Sequence, residues 1–169
     1  MKNQKMKTWL GGLALVIGLT AGLAQAQTPL PQEHRGQGYG FAAPVASSYG
    51  ATGFQAGFGG EGLVYKGLGV GGELSYLSFS RFDNGVGVVS PNVSYHFSNV
   101  SKDGKWVPFV TGGYSLYFRN STASGVNFGG GVTYWMKERV GLRFEVRDQV
   151  IALDGTGHFV GFRAGISFR

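Results

Sequence analysis

The sequence predicts an all-β fold: an eight-stranded antiparallel up-and-down transmembrane β-barrel, preceded by a cleaved signal peptide. Three observations point there. The chain opens like an export signal, the remainder reads as eight long stretches of alternating polarity, and glycine supplies 31 of 169 residues beside only 14% charged residues and no cysteine. Glycine at well over twice its usual ~7% argues against an ordinary helical or α/β protein. It does not recur every third residue, which excludes collagen, and an apolar content of 43% is too high for a disordered glycine-rich tail.

Lys2, Lys5 and Lys7 make a basic start, Leu10 to Leu23 an uncharged apolar stretch, and Ala24-Gln25-Ala26 a small-x-small cleavage site. The apolar stretch is shorter than the ~20 residues a spanning helix needs. The expected organisation is therefore a signal peptide over 1–26, a leader over 27–37 that contains Pro29 and Pro31, and a barrel domain over 38–169. Cleavage leaves 143 residues, enough for one domain, and takes three basic residues away, so the net charge falls from +6 to +3. The remaining Lys and Arg form no basic run, and nucleic-acid binding gains no support. Without cysteine there is neither a disulfide nor an N-terminal lipid attachment.

The strands are read from alternating, aromatic-rich and β-branched stretches separated by Gly, Asn, Asp or Lys clusters. They run Gly38 to Ser47, Gly53 to Tyr65, Leu68 to Phe79, Val86 to Phe97, Trp106 to Arg119, Gly125 to Met136, Val140 to Val150 and Phe159 to Phe168. Their length selects the architecture, because a tilted strand crosses a bilayer in about 9 to 11 residues whereas globular strands average about 5 to 6. The first strand carries Pro44, a residue normally kept to strand starts, edges or bulges.

Polarity then sets which side faces out. In the seventh strand Val140, Leu142, Phe144 and Val146 share one face, and Gly141, Arg143, Glu145 and Arg147 the other. The eighth repeats the pattern, with Val160, Phe162, Ala164, Ile166 and Phe168 against Gly161, Arg163, Gly165 and Ser167. Charges turned inward require apolar surroundings outside, as in an outer-membrane barrel. Small or polar residues fit the tight interior, and Gln55, Gly57, Gly59, Glu61 and Asn127, Gly129, Gly131, Thr133 supply them. Aromatic girdles are expected at both rims: Tyr65, Tyr95, Phe97, Trp106, Tyr134, Trp135 and Phe168 at one, Phe79, Tyr117, Phe118 and Phe159 at the other. An even strand number returns both ends of the barrel domain to the periplasmic side, and the outward loops Ser48 to Thr52, Ser80 to Gly85, Asn120 to Ser124 and Ile151 to His158 are brief.

The chemistry-bearing residues form one set above others. Glu61, Glu73 and Glu145 are expected to meet Arg143, Arg147 and Arg163 inside a lumen only wide enough for side chains, with Arg119 near the outer rim. Buried charges must pair, so the first reading is a salt-bridged plug; the second is a narrow polar pathway opened when the pairs rearrange. His96 with Ser94 and Ser98 is the one nucleophile-and-base cluster, but no acid lies near it in sequence, and polar residues at the water boundary explain it better than catalysis. His34 falls in the leader and His158 in an outward loop near Asp154. Gly67-Leu-Gly-Val-Gly-Gly72 fits the dinucleotide pattern, but β alternation continues through Glu73 to Phe79 where that pattern needs a helix, so no cofactor is expected. No metal-ligand spacing occurs.

The stretches Val110-Thr-Gly-Gly-Tyr-Ser-Leu-Tyr117, Phe128-Gly-Gly-Gly-Val-Thr-Tyr134 and Gly141-Leu-Arg-Phe-Glu-Val-Arg147 resemble the small outer-membrane β-barrel superfamily, of the outer-membrane protein A and outer-membrane protein W kind. The resemblance implies a bacterial outer-membrane location in a Gram-negative envelope, a monomer in contact with outer-membrane lipids, and assembly by the barrel-insertion machinery. The family's terminal assembly signal matches Arg163, Gly165 and Phe168, with Arg169 standing where a further aromatic is usual. Three functions follow as expectations. A non-enzymatic outer-membrane protein with a structural or interaction role and a mostly filled polar lumen comes first. A narrow, porin-like channel for small solutes comes second, and a soluble periplasmic, lipocalin-like ligand-binding barrel third.

Overall fold

A computed structural model describes residues 36–80, 85–98, 100–119, 121–153 and 155–169. The signal peptide read over 1–26 and nearly all of the leader lie outside the described residues. Eight strands follow in order: β1 Gly36–Ser47, β2 Thr52–Tyr65, β3 Leu68–Phe79, β4 Val86–His96, β5 Trp106–Phe118, β6 Thr122–Trp135, β7 Val140–Leu153 and β8 Gly155–Phe168. Each pairs antiparallel with its chain neighbours, and β1 pairs with β8 to close the barrel. Closure leaves no sheet edge, which is what a β structure needs where no water can satisfy unpaired backbone groups.

Most strand boundaries agree with the alternation pattern to within one or two residues, and three ends move further. β6 begins at Thr122, and the eight-residue loop read as Ile151 to His158 is instead mostly strand: β7 runs on to Leu153 and β8 starts at Gly155. Glycine, threonine and aspartate look like loop composition, but the ladder between Val150 and His158 keeps the register set lower in the barrel. The extended end is held from the side, where the Ser48 N–H donates to the His158 carbonyl at 3.0 Å. β1 also starts earlier, at Gly36, so Gln37 belongs to the barrel and not to the leader.

Proline is accommodated by giving up pairing on one side. Pro44 stays in β1 and is in register with Phe54 of β2, while the β1–β8 ladder skips from Ala42 to Val45 without changing register. Pro91 does the same in β4, where the ladder to β5 skips from Val89 to Asn92. Both rings point out of the barrel, so the missing N–H costs a bridge and not a fold.

The turns at the end that carries Gly36 and Phe168 are built for their job. Lys66 and Gly67 have φ of 35° and 88°, the positive pair that a two-residue hairpin of the I′ type requires. A side chain at Gly67 would also strike the His96 carbonyl oxygen, and the His96 N–H donates to the Gly67 carbonyl at 2.8 Å. The longer β4–β5 connection folds around Asp103, whose carboxylate accepts from the Ser101 hydroxyl and from the Lys105 N–H. Those bonds, Ser101's first, hold the Asp103 carboxyl below its ordinary 3.8. With the folded value depressed, its stabilisation is present above 3.8 and lost as pH falls through the folded value. An NMR titration should show Asp103 ionising below ordinary aspartate, and Ser101→Ala should raise it; an unchanged midpoint in the variant would remove the hydroxyl's role.

Side-chain direction follows the predicted parity through the middle of the barrel. Phe54, Phe58, Val93, Phe128, Phe144, Val146, Phe162 and Ile166 are exposed on the outer wall, while Gln55, Glu73, Asn127, Arg143, Glu145, Arg147 and Arg163 are buried inside. A soluble ligand-binding barrel needs the reverse arrangement. Near the rims, four aromatics depart from the expected girdles. Trp135 is 5% exposed and Tyr117 also 5%, both turned inward, and Phe79 and Phe159 pack ring against ring at 5.4 Å beside the interior cluster of Val45, Leu77, Val88 and Ile151. Aromatic composition near a strand end does not encode facing; position relative to the inward parity does, and these four share the parity of the lumen residues. Tyr95, Phe97, Trp106, Phe118 and Phe168 remain exposed on the outer wall, and Tyr65 is exposed beyond the register shift that follows Leu63.

Candidate functional site in the barrel lumen

The lumen is crossed by an ionic network that six of the seven predicted residues form. β7 contributes three of them at alternate positions, which pleating stacks on one face: Arg143, Glu145 and Arg147. Glu145 is the hub. Arg147 Nε lies 2.5 Å from its Oε1, Arg143 Nη2 3.3 Å from its Oε2, and Arg163 Nη1 3.8 Å from its Oε1. Glu73 on β3 receives Arg163 Nη1 at 2.8 Å and stands 3.9 Å from Arg147 Nη1. Arg143 also reaches Glu61 on β2 at 3.5 Å. Three guanidiniums therefore face three carboxylates, and the interior set is neutral. Arg147 is the most deeply buried of the three arginines, only 1% exposed.

Glycine makes the room. A side chain at Gly129 would meet Arg147 Nε at 3.3 Å, and one at Gly131 would run into the Phe144 carbonyl and come within 3.0 Å of the Phe109 ring. Gly69 and Gly71 serve the same end: a Cβ at Gly69 would lie 2.7 Å from Glu61 Oε2 and one at Gly71 2.7 Å from Glu61 Cβ. The dinucleotide-like pattern is thus a strand that yields space to a carboxylate.

Neutral residues complete the network, and the sequence did not single most of them out as partners. Arg147 Nη1 donates to Asn127 Oδ1 at 3.1 Å and Arg163 Nη2 to Gln55 Oε1 at 3.1 Å. Gln149 donates to Gln55 at 3.0 Å and accepts from the Tyr117 hydroxyl at 3.0 Å, forming a polar layer above the charges. Arg143 is clamped between the Phe109 ring at 3.8 Å and the Tyr39 ring at 4.3 Å, and Arg163 lies over Phe41 at 4.2 Å. Such faces attract a desolvated cation. The inward parity of Gln55, Asn127 and Gln149 was readable; the height at which each meets an arginine depends on the stagger between strands, which no single segment carries.

Arg119 does not join. It is exposed at the mouth opposite the chain ends, beyond the Tyr117 layer. At the same mouth His158 Nδ1 lies 2.8 Å from Asp148 Oδ2, a contact that joins β8 to β7; Asp154, its neighbour in sequence, lies outside the described residues.

At the end nearest Gly36, the fold supplies the acid that the sequence lacked beside His96. Glu61 accepts from the Ser94 hydroxyl and the Gln37 amide, and His96 Nε2 lies 3.1 Å from its Oε1 and 3.2 Å from Ser94 Oγ. A hydrolytic relay needs the acid on one ring nitrogen and the serine on the other. Here one nitrogen faces both, and the serine proton goes to the carboxylate. Ser98 lies outside this group and is exposed. The arrangement is a hydrogen-bonded cap over the ionic network. The described residues contain no group of three or more His, Cys, Asp or Glu placed to hold a metal ion.

The C-terminal positions separate by face. Arg163 is in the network, Gly165 abuts the Gly40 carbonyl inside, and Phe168 is exposed outside. Arg169 continues past it, its Nε donating to the Glu138 carbonyl at 2.7 Å while its guanidinium lies 4.1 Å from the Trp135 ring.

No family model matches the sequence, and no curated protein matches it. Solved structures do. The N-terminal β-barrel domain of Pseudomonas aeruginosa OprF is 16% identical, with 81% of this chain and 100% of that one covered and a TM-score of 0.56. Neisserial surface protein A is 18% identical over 79% of this chain and 94% of that one, with a TM-score of 0.59. The outer-membrane enzyme PagL is 14% identical over 78% and 99%, with a TM-score of 0.53. These likenesses extend over nearly the whole of each compared barrel and reach proteins of different activities, so they speak to architecture. The chain has the fold of the small eight-stranded outer-membrane β-barrels.

Proposed function

We propose that this chain is an outer-membrane barrel with a structural or interaction role, closed to solutes, and without catalytic activity. One observation carries the reading: the polarity is inverted, with aromatic and aliphatic side chains on the outer wall and a charge-balanced network filling the middle of the lumen. The outer wall suits lipid, since a protein bathed in water rarely leaves such a continuous apolar surface uncovered. The interior suits closure, because an eight-stranded barrel has space for side chains and little else. In this reading the signal peptide over 1–26 exports the chain to the outer membrane, its terminal Arg163, Gly165 and Phe168 are recognised by the barrel-insertion machinery, and the barrel works as a monomer.

A second reading, a narrow polar pathway, is favoured by one feature. Glu73 Oε1, Arg147 Nη2, Arg163 Nε and both polar atoms of the Asn92 side chain are buried without a protein hydrogen-bond partner. Buried polar atoms are usually satisfied by water when protein does not do it. The two readings part in a planar bilayer. Protein that fractionates with the outer membrane and migrates differently before and after boiling should be electrically silent; discrete openings that change in a Glu73→Gln variant would replace closure with conduction.

A further inference from the structure

The interior changes character above the Tyr117–Gln149–Gln55 layer. Below it the lumen is ionic; above it the inward positions are apolar. Leu77, Phe79, Val86, Ala123, Ile151 and Phe159 surround a cavity of about 250 Å³ that opens at the mouth opposite the chain ends. Val45, Val88 and the ring of Tyr117 pack beneath and beside these walls. A hydrogen-bonded layer forms the floor, where the Tyr117 hydroxyl bonds to Gln149, Gln149 to Gln55, and Gln55 to Arg163.

Two features specify an occupant. The walls Phe79, Val86, Ala123 and Phe159 are only partly buried, so apolar surface faces the cavity and gains free energy when a hydrocarbon covers it. Arg119 and Ser121 stand in the lining, and no carboxylate of the described residues lies within ion-pair distance of Arg119. Its position on a half-exposed rim leaves a guanidinium, with its fork of donors, available to a carboxylate or similar headgroup. The volume falls below the span of pockets that enclose drug-sized ligands, which run from about 300 to 1,000 Å³, and limits the guest to a small molecule.

We propose that the outer mouth is a binding site for a small amphipathic anion, a medium-chain aliphatic carboxylate whose tail enters the cup among Leu77, Ile151 and Phe159 and whose headgroup is held by Arg119. The site is independent of whether the lower lumen conducts. It requires only that the cup be reachable from the mouth.

The test uses the full mature chain in phosphatidylcholine nanodiscs, with methyl NMR read during titration by octanoate and, separately, by octanol. Octanoate should produce saturable shifts at the Leu77, Val86 and Ile151 methyls and none at Val107, which lies near the other end. Arg119→Gln should weaken octanoate about fivefold, the value of one exposed ion pair, and leave octanol unchanged. Ala123→Phe, filling the cup, should abolish both, with heat-dependent gel migration confirming that the variant has folded. Shifts that fail to saturate, or that appear equally at the lipid-facing Val110 and Val146, would mean partition into the bilayer and overturn the site. Equal weakening of octanoate and octanol by Arg119→Gln would overturn the assignment of the anion.

Discussion

Glu145→Gln should lower the unfolding free energy by about 3–5 kcal/mol, the cost of breaking a buried pair by removing one partner. The size follows from the hub geometry. Glu145 is touched by Arg143, Arg147 and Arg163, all buried, so neutralising it leaves three guanidiniums against two carboxylates in a lumen that has no bulk water to screen them. Because the replacement is isosteric, the loss measures charge and not volume. Reversible urea unfolding from lipid vesicles gives the number. The double variant Glu145→Gln with Arg147→Gln should cost less than the sum of the singles, with a coupling of about 0.5–3 kcal/mol as expected for residues in one network. Strict additivity, or a single-variant loss below about 1 kcal/mol, would show that the carboxylate is solvated rather than locked.

Phe162→Arg should cost about 2–4 kcal/mol in the same assay, the penalty for a cation near the middle of a lipid-facing strand. Phe162 is 65% exposed near the centre of β8, and the next residue along, Arg163, is buried and paired. Two adjacent positions thus test opposite environments. In water, an exposed Phe replaced by Arg would change stability by no more than about 0.5 kcal/mol either way. A result in that range from vesicles would mean that the outer wall is not in contact with lipid, and would remove the inverted-polarity reading along with it.

Much of this architecture was legible because period-two alternation is local. Val140 to Arg147 announce both that they form a strand and which side is greasy, and the structure keeps that parity residue by residue. What the sequence could not encode locally was height. Arg119 and Arg147 share inward parity, yet one stands at the mouth and the other at the centre, because strand stagger decides their levels. Glu61 and His96 are likewise far apart in the chain and meet only once β2, β3 and β4 are in register. The misplaced aromatics have a related cause. Tyr117, Phe79 and Phe159 lie where long strands rise past the charged layer, and there the interior can be apolar, so that composition no longer distinguishes inside from outside.

The charge balance of the lumen has a consequence for the order of assembly. Strands β1 to β7 carry Glu61, Glu73 and Glu145 but only Arg143 and Arg147; the third cation, Arg163, arrives with β8. An open sheet waiting for its last strand therefore holds one surplus negative charge on the face that is about to be enclosed. Ring closure and neutralisation are the same event, because the contact that joins Arg163 to Glu73 spans the barrel from β8 to β3. A chain truncated before β8 would lack Arg163 and leave three carboxylates facing two guanidiniums.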